Sequence, residues 1–350
     1  MREIKVGIVG FGAGAEFFHA PIISSVPGFK LTHVVERNKQ RSIEIYPSVK
    51  VLKSIDELLK TPEVSLVIIT TPNWLHFEQA QKAIEAGKNV IVDKPFTVTS
   101  KEADSLIELA KSKNVVLSVY QNRRWDGAFL TIKKIIENNW LGDISSFDAR
   151  FDRYRPEPKQ DSWRENARQG GGLLYDLGPH LIDQALQLFG LPLAVRAEVK
   201  IERKSCVADD YFDVSLKYDK VKVRLRAGML VKEATPNYVM QGGEGSYVKY
   251  GLDPQEAALK AGKMPKDDPN WGWETADKWG FSNSTAHGLK YYGKIETTKG
   301  DYRGYYQNIY NVLTGDEELA VTPIQARSVI RIIELARLSS KEKKEILYSV

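Results

Sequence analysis

The stretch IKVGIVGFGAGAEF, residues 4–17, decides the fold. Ile4, Val6, Ile8 and Val9 are β-branched, the residue type that fits a pleated, buried surface. Glycines follow at once, and helix-compatible residues follow them. Gly10, Phe11, Gly12, Ala13, Gly14 and Ala15 satisfy G-x-G-x-x-G/A directly after this predicted strand. In that pattern Gly10 permits the tight turn, Gly12 leaves room for a pyrophosphate to approach the backbone, and Ala15 lets the helix lie close to the sheet. The N–H groups at the start of the helix then face the phosphates. These six positions are assigned to binding a dinucleotide.

The same alternation continues outward. Apolar runs KLTHVVE (30–36), VSLVIITT (64–71), NVIVDKP (89–95) and VVLSVYQ (115–121) are separated by amphipathic segments such as HFEQAQKAIEAG and KEADSLIELAKSK. Near-continuous apolar strands between such helices predict a parallel sheet covered on both faces. Residues 1–122 are therefore read as a doubly wound, Rossmann-type dinucleotide-binding domain. Beyond it, a helical stretch at 127–139 leads to SSFDARFDRYR, AVRAEVKIER, YFDVSLKY and VKVRLRAG, whose alternation suits a sheet with one wet face. Residues 123–350 are read as an α+β domain with a mainly antiparallel sheet. Residues 236–300 resist assignment, and helices are expected at about 304–314 and 323–338.

Composition narrows the function classes. With 350 residues, 42% of them hydrophobic, the chain can bury a large core, and two domains are the expectation. No apolar run is long enough to suggest a membrane span, and no secretory leader pattern opens the chain. Cys206 is the single cysteine, which fits a reducing compartment and a cytoplasmic protein, and the five scattered histidines predict no metal site. A net charge of +5 without a dense basic block argues against nucleic acid as a partner and is compatible with an anionic cofactor.

Candidate groups collect where the predicted parallel strands end, the place where such sheets bind ligands. Glu36 lies at the distance from Gly12 expected of an acid that accepts the adenosine ribose hydroxyls of NAD; the adjacent Arg37 suits a 2′-phosphate or the adenine face. The reading inclines to NAD and keeps NADP open. Thr71, Asn73 and His76 are grouped with the cofactor side, and His19 either contacts cofactor or packs the first helix. In Asp93-Lys94-Pro95, Lys94 can supply positive charge to a developing alkoxide beside the nicotinamide. In YQNRRW, Asn122 or Arg123 is expected to reach the substrate, with Trp163, Arg164 and Tyr306 as weaker candidates. The segment GGLLYDLGPHLIDQ (171–184) sets Asp176, His180 and Asp183 among apolar neighbours. Solvent-facing decoration, a metal site and acid/base chemistry all remain open for it at this point.

Taken together, GFGAGAEFFHAPII, ITTPNWLHFEQAQKAIEAGKNVIVDKP, LSVYQNRRWDGAFLTIK and GGGLLYDLGPHLIDQALQLFG closely resemble the Gfo/Idh/MocA oxidoreductases, over nearly the whole chain. SYVKYGLDPQEAALKAG looks particularly like the scyllo-inositol dehydrogenase branch. The family's E-K-P motif implies a catalytic role for Lys94, with Asp93 standing where Glu is usual. Its D-x-G-x-H-x-x-D pattern implies that Asp176 and His180 act around the reacting hydroxyl and that Asp183 binds a substrate hydroxyl or organises its neighbours. The expectation is an NAD(P)-dependent dehydrogenase of a cyclic polyol, needing no metal and forming a homo-oligomer. The alternatives are an aldose or keto-sugar dehydrogenase and a non-catalytic dinucleotide sensor.

Overall fold

The computed structural model describes residues 2–38, 40–159, 162–165, 168–286 and 288–349. Strands β1 (Ile4–Val9), β2 (Phe29–Val35), β3 (Lys50–Leu52), β4 (Val64–Ile69), β5 (Asn89–Val92) and β6 (Leu117–Val119) pair in the order β3-β2-β1-β4-β5-β6, every pair parallel. Helices α1 (Ala20–Ile23), α2 (Arg41–Ile45), α3 (Ile55–Leu59), α4 (His76–Glu85) and α5 (Ser100–Lys113) lie along the connections. Val6, Ile8, Leu66, Val67, Ile68 and Ile69 are fully buried, as strands covered on both faces require. The order reverses between β1 and β4, the switch point at which such sheets bind ligands. Strand β3 was not foreseen, because three residues are too few to show a period.

Local chemistry sets the ends of these elements. Before α5, the Thr99 hydroxyl accepts the Glu102 N–H at 3.2 Å while the Glu102 carboxylate accepts the Thr99 N–H at 3.0 Å, and Asn114 at φ 50° ends the helix. The first helix departs from the expected form. Residues Gly14–His19 make a π-helical turn before α1 begins.

The second sheet contains, among the described residues, β7 (Ile144–Arg150), β8 (Ala194–Lys200), β9 (Tyr211–Lys217), β10 (Lys222–Gly228), β11 (Tyr238–Gly242), β12 (Gly245–Lys249), β13 (Gly280–Ala286), β14 (Leu289–Ile295) and β15 (Ile346–Leu347). Their order is β14-β13-β12-β11-β7-β10-β9-β8-β15, and neighbours are antiparallel except β10 and β7. Alternation is clean in β9 and β10: Phe212, Val214, Leu216, Val223, Leu225 and Ala227 are buried while the residues between them face outward. With this sheet run α6 (Gly127–Glu137), α7 (Leu173–Asp176) and α8 (Gly178–Phe189); α9 (Pro254–Lys260), α10 (Arg303–Thr314) and α11 (Pro323–Glu342) follow along the chain. No described helix is long and apolar enough to cross a membrane.

The chain divides into two units that are not continuous in sequence. One comprises Met1–Asn122, Gln255–Trp271 and Asp301–Arg327; the other comprises Arg123–Pro254, Gly272–Gly300 and Ser328–Val350. The sequence reading placed all of 123–350 in one domain. Aromatic packing explains the difference: Tyr305 donates to the Ser118 hydroxyl at 2.9 Å, Tyr310 to the Arg2 carbonyl at 3.0 Å, and Tyr306 stacks edge-on against Phe29. These side chains tie residues 301–327 to the parallel sheet.

Candidate functional site

In the first unit the site begins at the end of β1. Gly10 has φ +89°, a turn that favours glycine, and a Cβ there would lie in a tight contact 3.2 Å from Thr71 Cγ2. The Thr70 hydroxyl lies 3.1 Å from the Val9 carbonyl and 3.0 Å from that of Gly10, joining the two strand ends at the switch point. Gly12 and Ala13 are exposed, and a Cβ on Gly12 would meet nothing within 4 Å. That open backbone is the room a pyrophosphate needs. At Gly14 a Cβ would come within 2.7 Å of Asp93 Oδ2, and Ala15 is fully buried; Phe11 meets Tyr46 edge to face.

The Glu36 expectation changes. Its carboxylate is buried and accepts the backbone N–H of Arg41 at 3.1 Å and of Ser42 at 3.0 Å, together with the Ser42 hydroxyl. It satisfies the first turn of α2 instead of standing open to a ribose. Arg37 beside it is exposed, and Arg41 pairs with Glu16 at 2.6 Å.

His76 is also reassigned. It is buried, with Nδ1 2.8 Å from the Pro95 carbonyl and Nε2 2.8 Å from the Thr71 carbonyl, so it joins the loop after β4 to the loop after β5. Burial, the larger influence, holds its pKa below the ordinary histidine range against the opposing effects of Asp93 and the carbonyls. The Thr71 hydroxyl donates to Gln79 at 2.6 Å, and Asn73 is buried at the start of the turn preceding α4.

Asp93, Lys94 and His19 form the centre of this unit's candidate set. The Asp93 carboxylate accepts the Lys94 N–H at 2.8 Å and lies 3.6 Å from His19 Nε2. His19 is fully buried; its Nδ1 is 2.6 Å from the Tyr306 hydroxyl and its ring lies 4.2 Å from that of Tyr120. Burial alone would raise the Asp93 pKa, but His19, Lys94 and His76 outweigh it and hold the carboxyl below its ordinary range. Burial raises the Tyr120 and Tyr306 phenols well above theirs. The shorter Asp in place of Glu thus keeps its charge and meets a histidine.

In the second unit, α7 ends at Asp176 and α8 brings His180 into its first turn behind Pro179. Every residue of α8 from Gly178 to Ala185 is buried, so this part of the helix, which carries His180 and Asp183, has no wet face for decoration. The Asp176 carboxylate lies 3.4 Å from Arg164 Nε, and the His180 ring lies 6.5 Å from that of Phe151. Asp183 accepts from Arg124 Nε at 2.8 Å and Nη2 at 2.6 Å, both side chains buried. Asp183, expected to bind a substrate hydroxyl or to organise its neighbours, is thus paired with Arg124. Arg123 is likewise engaged, donating to Asp126 at 3.2 Å with its guanidinium 5.1 Å over Phe151.

Asn122 is buried in the first unit. Arg164 stacks on Trp163 at 4.5 Å, while Tyr306 belongs to the His19 cluster. Among the described residues no group of three or more His, Cys, Asp or Glu side chains could hold a metal ion. Sequence reasoning overlooked Asp209, whose carboxylate accepts the Leu174 N–H at 2.8 Å; nothing local marks it, since its partners are remote in sequence.

A parallel sheet in this order, with an open glycine turn at its switch point, defines a dinucleotide-binding protein. Residues 4–121 match the description "Oxidoreductase family, NAD-binding Rossmann fold", and residues 133–347 match "Oxidoreductase family, C-terminal alpha/beta domain". The chain belongs to the Gfo/Idh/MocA family and is an NAD(P)-dependent oxidoreductase. It is 40% identical to the scyllo-inositol 2-dehydrogenase (NADP(+)) of Bacillus subtilis over 344 residues, covering 98% of this chain and 96% of that one. It is 41% identical to the uncharacterized oxidoreductase YdgJ of Escherichia coli, covering 97% of each chain. The solved structure of yvaA from Bacillus subtilis superposes with a TM-score of 0.95 at 39% identity, covering 99% of both chains.

Proposed function

We propose that the protein oxidises a secondary hydroxyl of a cyclic polyol, an inositol-like ring, reversibly to a ketone, with NADP as the preferred dinucleotide. The observation that carries this reading is the placement of Asp176 and His180 at the adjoining ends of α7 and α8, helices whose other members are mostly buried and apolar. Polar groups held there at a desolvation cost fit a chemical task better than a structural one. The 40% identity to an inositol dehydrogenase over nearly the full chain supports the substrate class.

The Gly10–Ala15 turn would hold the dinucleotide, whose nicotinamide would supply the hydride acceptor for the alcohol carbon. His180 takes the hydroxyl proton as that step proceeds. Asp176 orients the imidazole or passes the proton on. Lys94 holds the hydroxyl and stabilises negative charge developing on its oxygen, and Asn122 reads a further hydroxyl of the ring. The inclination toward NAD rested on an open Glu36 carboxylate. With that carboxylate committed to α2, the exposed Arg37 is the group suited to a 2′-phosphate. We also propose self-association through the second unit, where Leu289 and Tyr292 are 75% and 77% exposed on β14. The single cysteine suits a cytoplasmic setting.

Initial rates with scyllo-inositol, myo-inositol and a panel of aldoses, each with NAD and NADP, test the reading. Cyclitol turnover favouring NADP is expected. Turnover of aldoses alone would move the assignment to a sugar dehydrogenase, and dinucleotide binding without any turnover would remove the polyol reading. Sedimentation tests the self-association.

A further inference from the structure

Helix α7 is only four residues long, and its N-cap, Gly172, has no side chain with which to satisfy the first N–H groups. A remote residue does this instead. The Asp209 main-chain carbonyl accepts the Leu173 N–H at 2.7 Å, and its carboxylate accepts the Leu174 N–H at 2.8 Å. The chain passes so close to this carboxylate that a Cβ on Gly172, which has φ +90°, would lie 2.2 Å from Asp209 Oδ1.

Arg337 of α11 completes the arrangement. Its Nη2 donates to Asp209 Oδ1 at 2.6 Å and lies 3.4 Å from the Gly171 carbonyl, while its guanidinium lies 5.2 Å over the Tyr175 ring. Desolvation, the larger influence, raises the Asp209 pKa and Arg337 opposes it, so the arginine helps keep a mostly buried carboxylate ionised and accepting. The two side chains together touch Gly171, Leu174 and Tyr175 directly. They grip the chain immediately before Asp176, and α8 with His180 starts two residues after it.

We infer that Asp209 and Arg337 are positioning residues that set where Asp176 and His180 stand for catalysis, although neither touches the reacting atoms. The inference rests on the roles proposed above for Asp176 and His180. Small displacements of catalytic groups are costly; a shift of about 1 Å can lower turnover by about 100-fold. An arginine that bonds a carboxylate and a carbonyl while covering a ring is only partly replaced by lysine, which keeps the charge and loses the planar, stacking fork.

The test compares wild type with Arg337→Ala, Arg337→Lys and Asp209→Asn. Turnover number and KM are measured on the cyclitol, the dissociation constant for NADPH by fluorescence, and the His180 ring resonance by NMR of 13C-imidazole-labelled protein assigned with His180→Gln. Arg337→Ala and Asp209→Asn are expected to lower kcat at least about tenfold, with NADPH affinity unchanged within about twofold. The His180 resonance should move in both variants, and Arg337→Lys, which keeps the charge alone, should recover part of the rate and of the resonance position relative to Arg337→Ala. Unchanged kcat together with an unmoved His180 resonance would overturn the inference, as would a loss of NADPH affinity equal to the loss of rate. Should Arg337→Ala fail to fold, the lysine and asparagine variants decide. If wild type turns over no cyclitol, the proposed function fails, and the His180 resonance still decides whether the pair positions that ring.

Discussion

Arg124 holds Asp183 through two hydrogen bonds of 2.8 and 2.6 Å, both side chains sealed from solvent and 59 residues apart in the chain. Removing Arg124 takes away the guanidinium that compensates the buried Asp183 charge, whereas removing both members leaves no such charge behind. Arg124→Met is expected to cost about 3–5 kcal/mol in urea unfolding. Adding Asp183→Leu to that variant should recover a large part of the loss. A double variant no more stable than the single one would show that the pair does not act as a unit.

Gly12 faces open space while Gly14 lies against Asp93. Gly12→Val should therefore leave the thermal midpoint within about 2 °C of wild type, a shift of at most about 1.5 kcal/mol for a chain of this size, and still weaken dinucleotide binding at least about tenfold, or about 1.4 kcal/mol. Gly14→Val should lower both stability and binding. Calorimetry and fluorescence titration separate the two effects.

Asp93 carries a pH prediction. Its folded pKa lies below the unfolded value, the pull of His19, Lys94 and His76 exceeding the effect of burial. A depressed carboxylate stabilises the fold fully above its unfolded pKa of about 4, and that contribution fades as pH falls through the folded value. His19→Gln removes the largest favourable influence on Asp93, so the acid unfolding midpoint should move to higher pH. An unchanged acid limb would show that His19 does not hold the Asp93 charge.

His180 is tested by its proton. His180→Ala should lower kcat by about 10²- to 10⁴-fold, the usual contribution of a positioned base, while the NADPH dissociation constant stays within about twofold. Turnover equal to wild type would remove His180 from the chemistry.

Much of the first unit was legible because its signals are local. The turn at Gly10 to Ala15 follows β1 directly, and KEADSLIELAKSK shows the amphipathic pattern of α5. The strands β11 to β14 were not legible. They lie within 236–300, where Gly242 and Gly245 interrupt the alternation and the pairing partners are set by the sheet. Segment 301–327 was assigned by chain order to the second domain, and only the burial of Tyr305, Tyr306 and Tyr310 reveals its place.

The candidate site divides along the same line. Residue type and spacing pointed to Glu36 and grouped His76 with the cofactor side, and the family resemblance supplied the expected roles of Lys94, Asp176, His180 and Asp183 before any geometry was known. Packing then chose their partners: Glu36 took the first turn of α2, His76 two backbone carbonyls, Asp183 the guanidinium of Arg124, and Asp209 a start of α7 that is 35 residues away along the chain. Periodicity and turn chemistry depend on neighbours within a few residues, so the chain alone specified two α/β-type domains and a dinucleotide turn. The partner of a buried charge is whichever group the folded backbone brings within about 3 Å, and tertiary structure alone decided that.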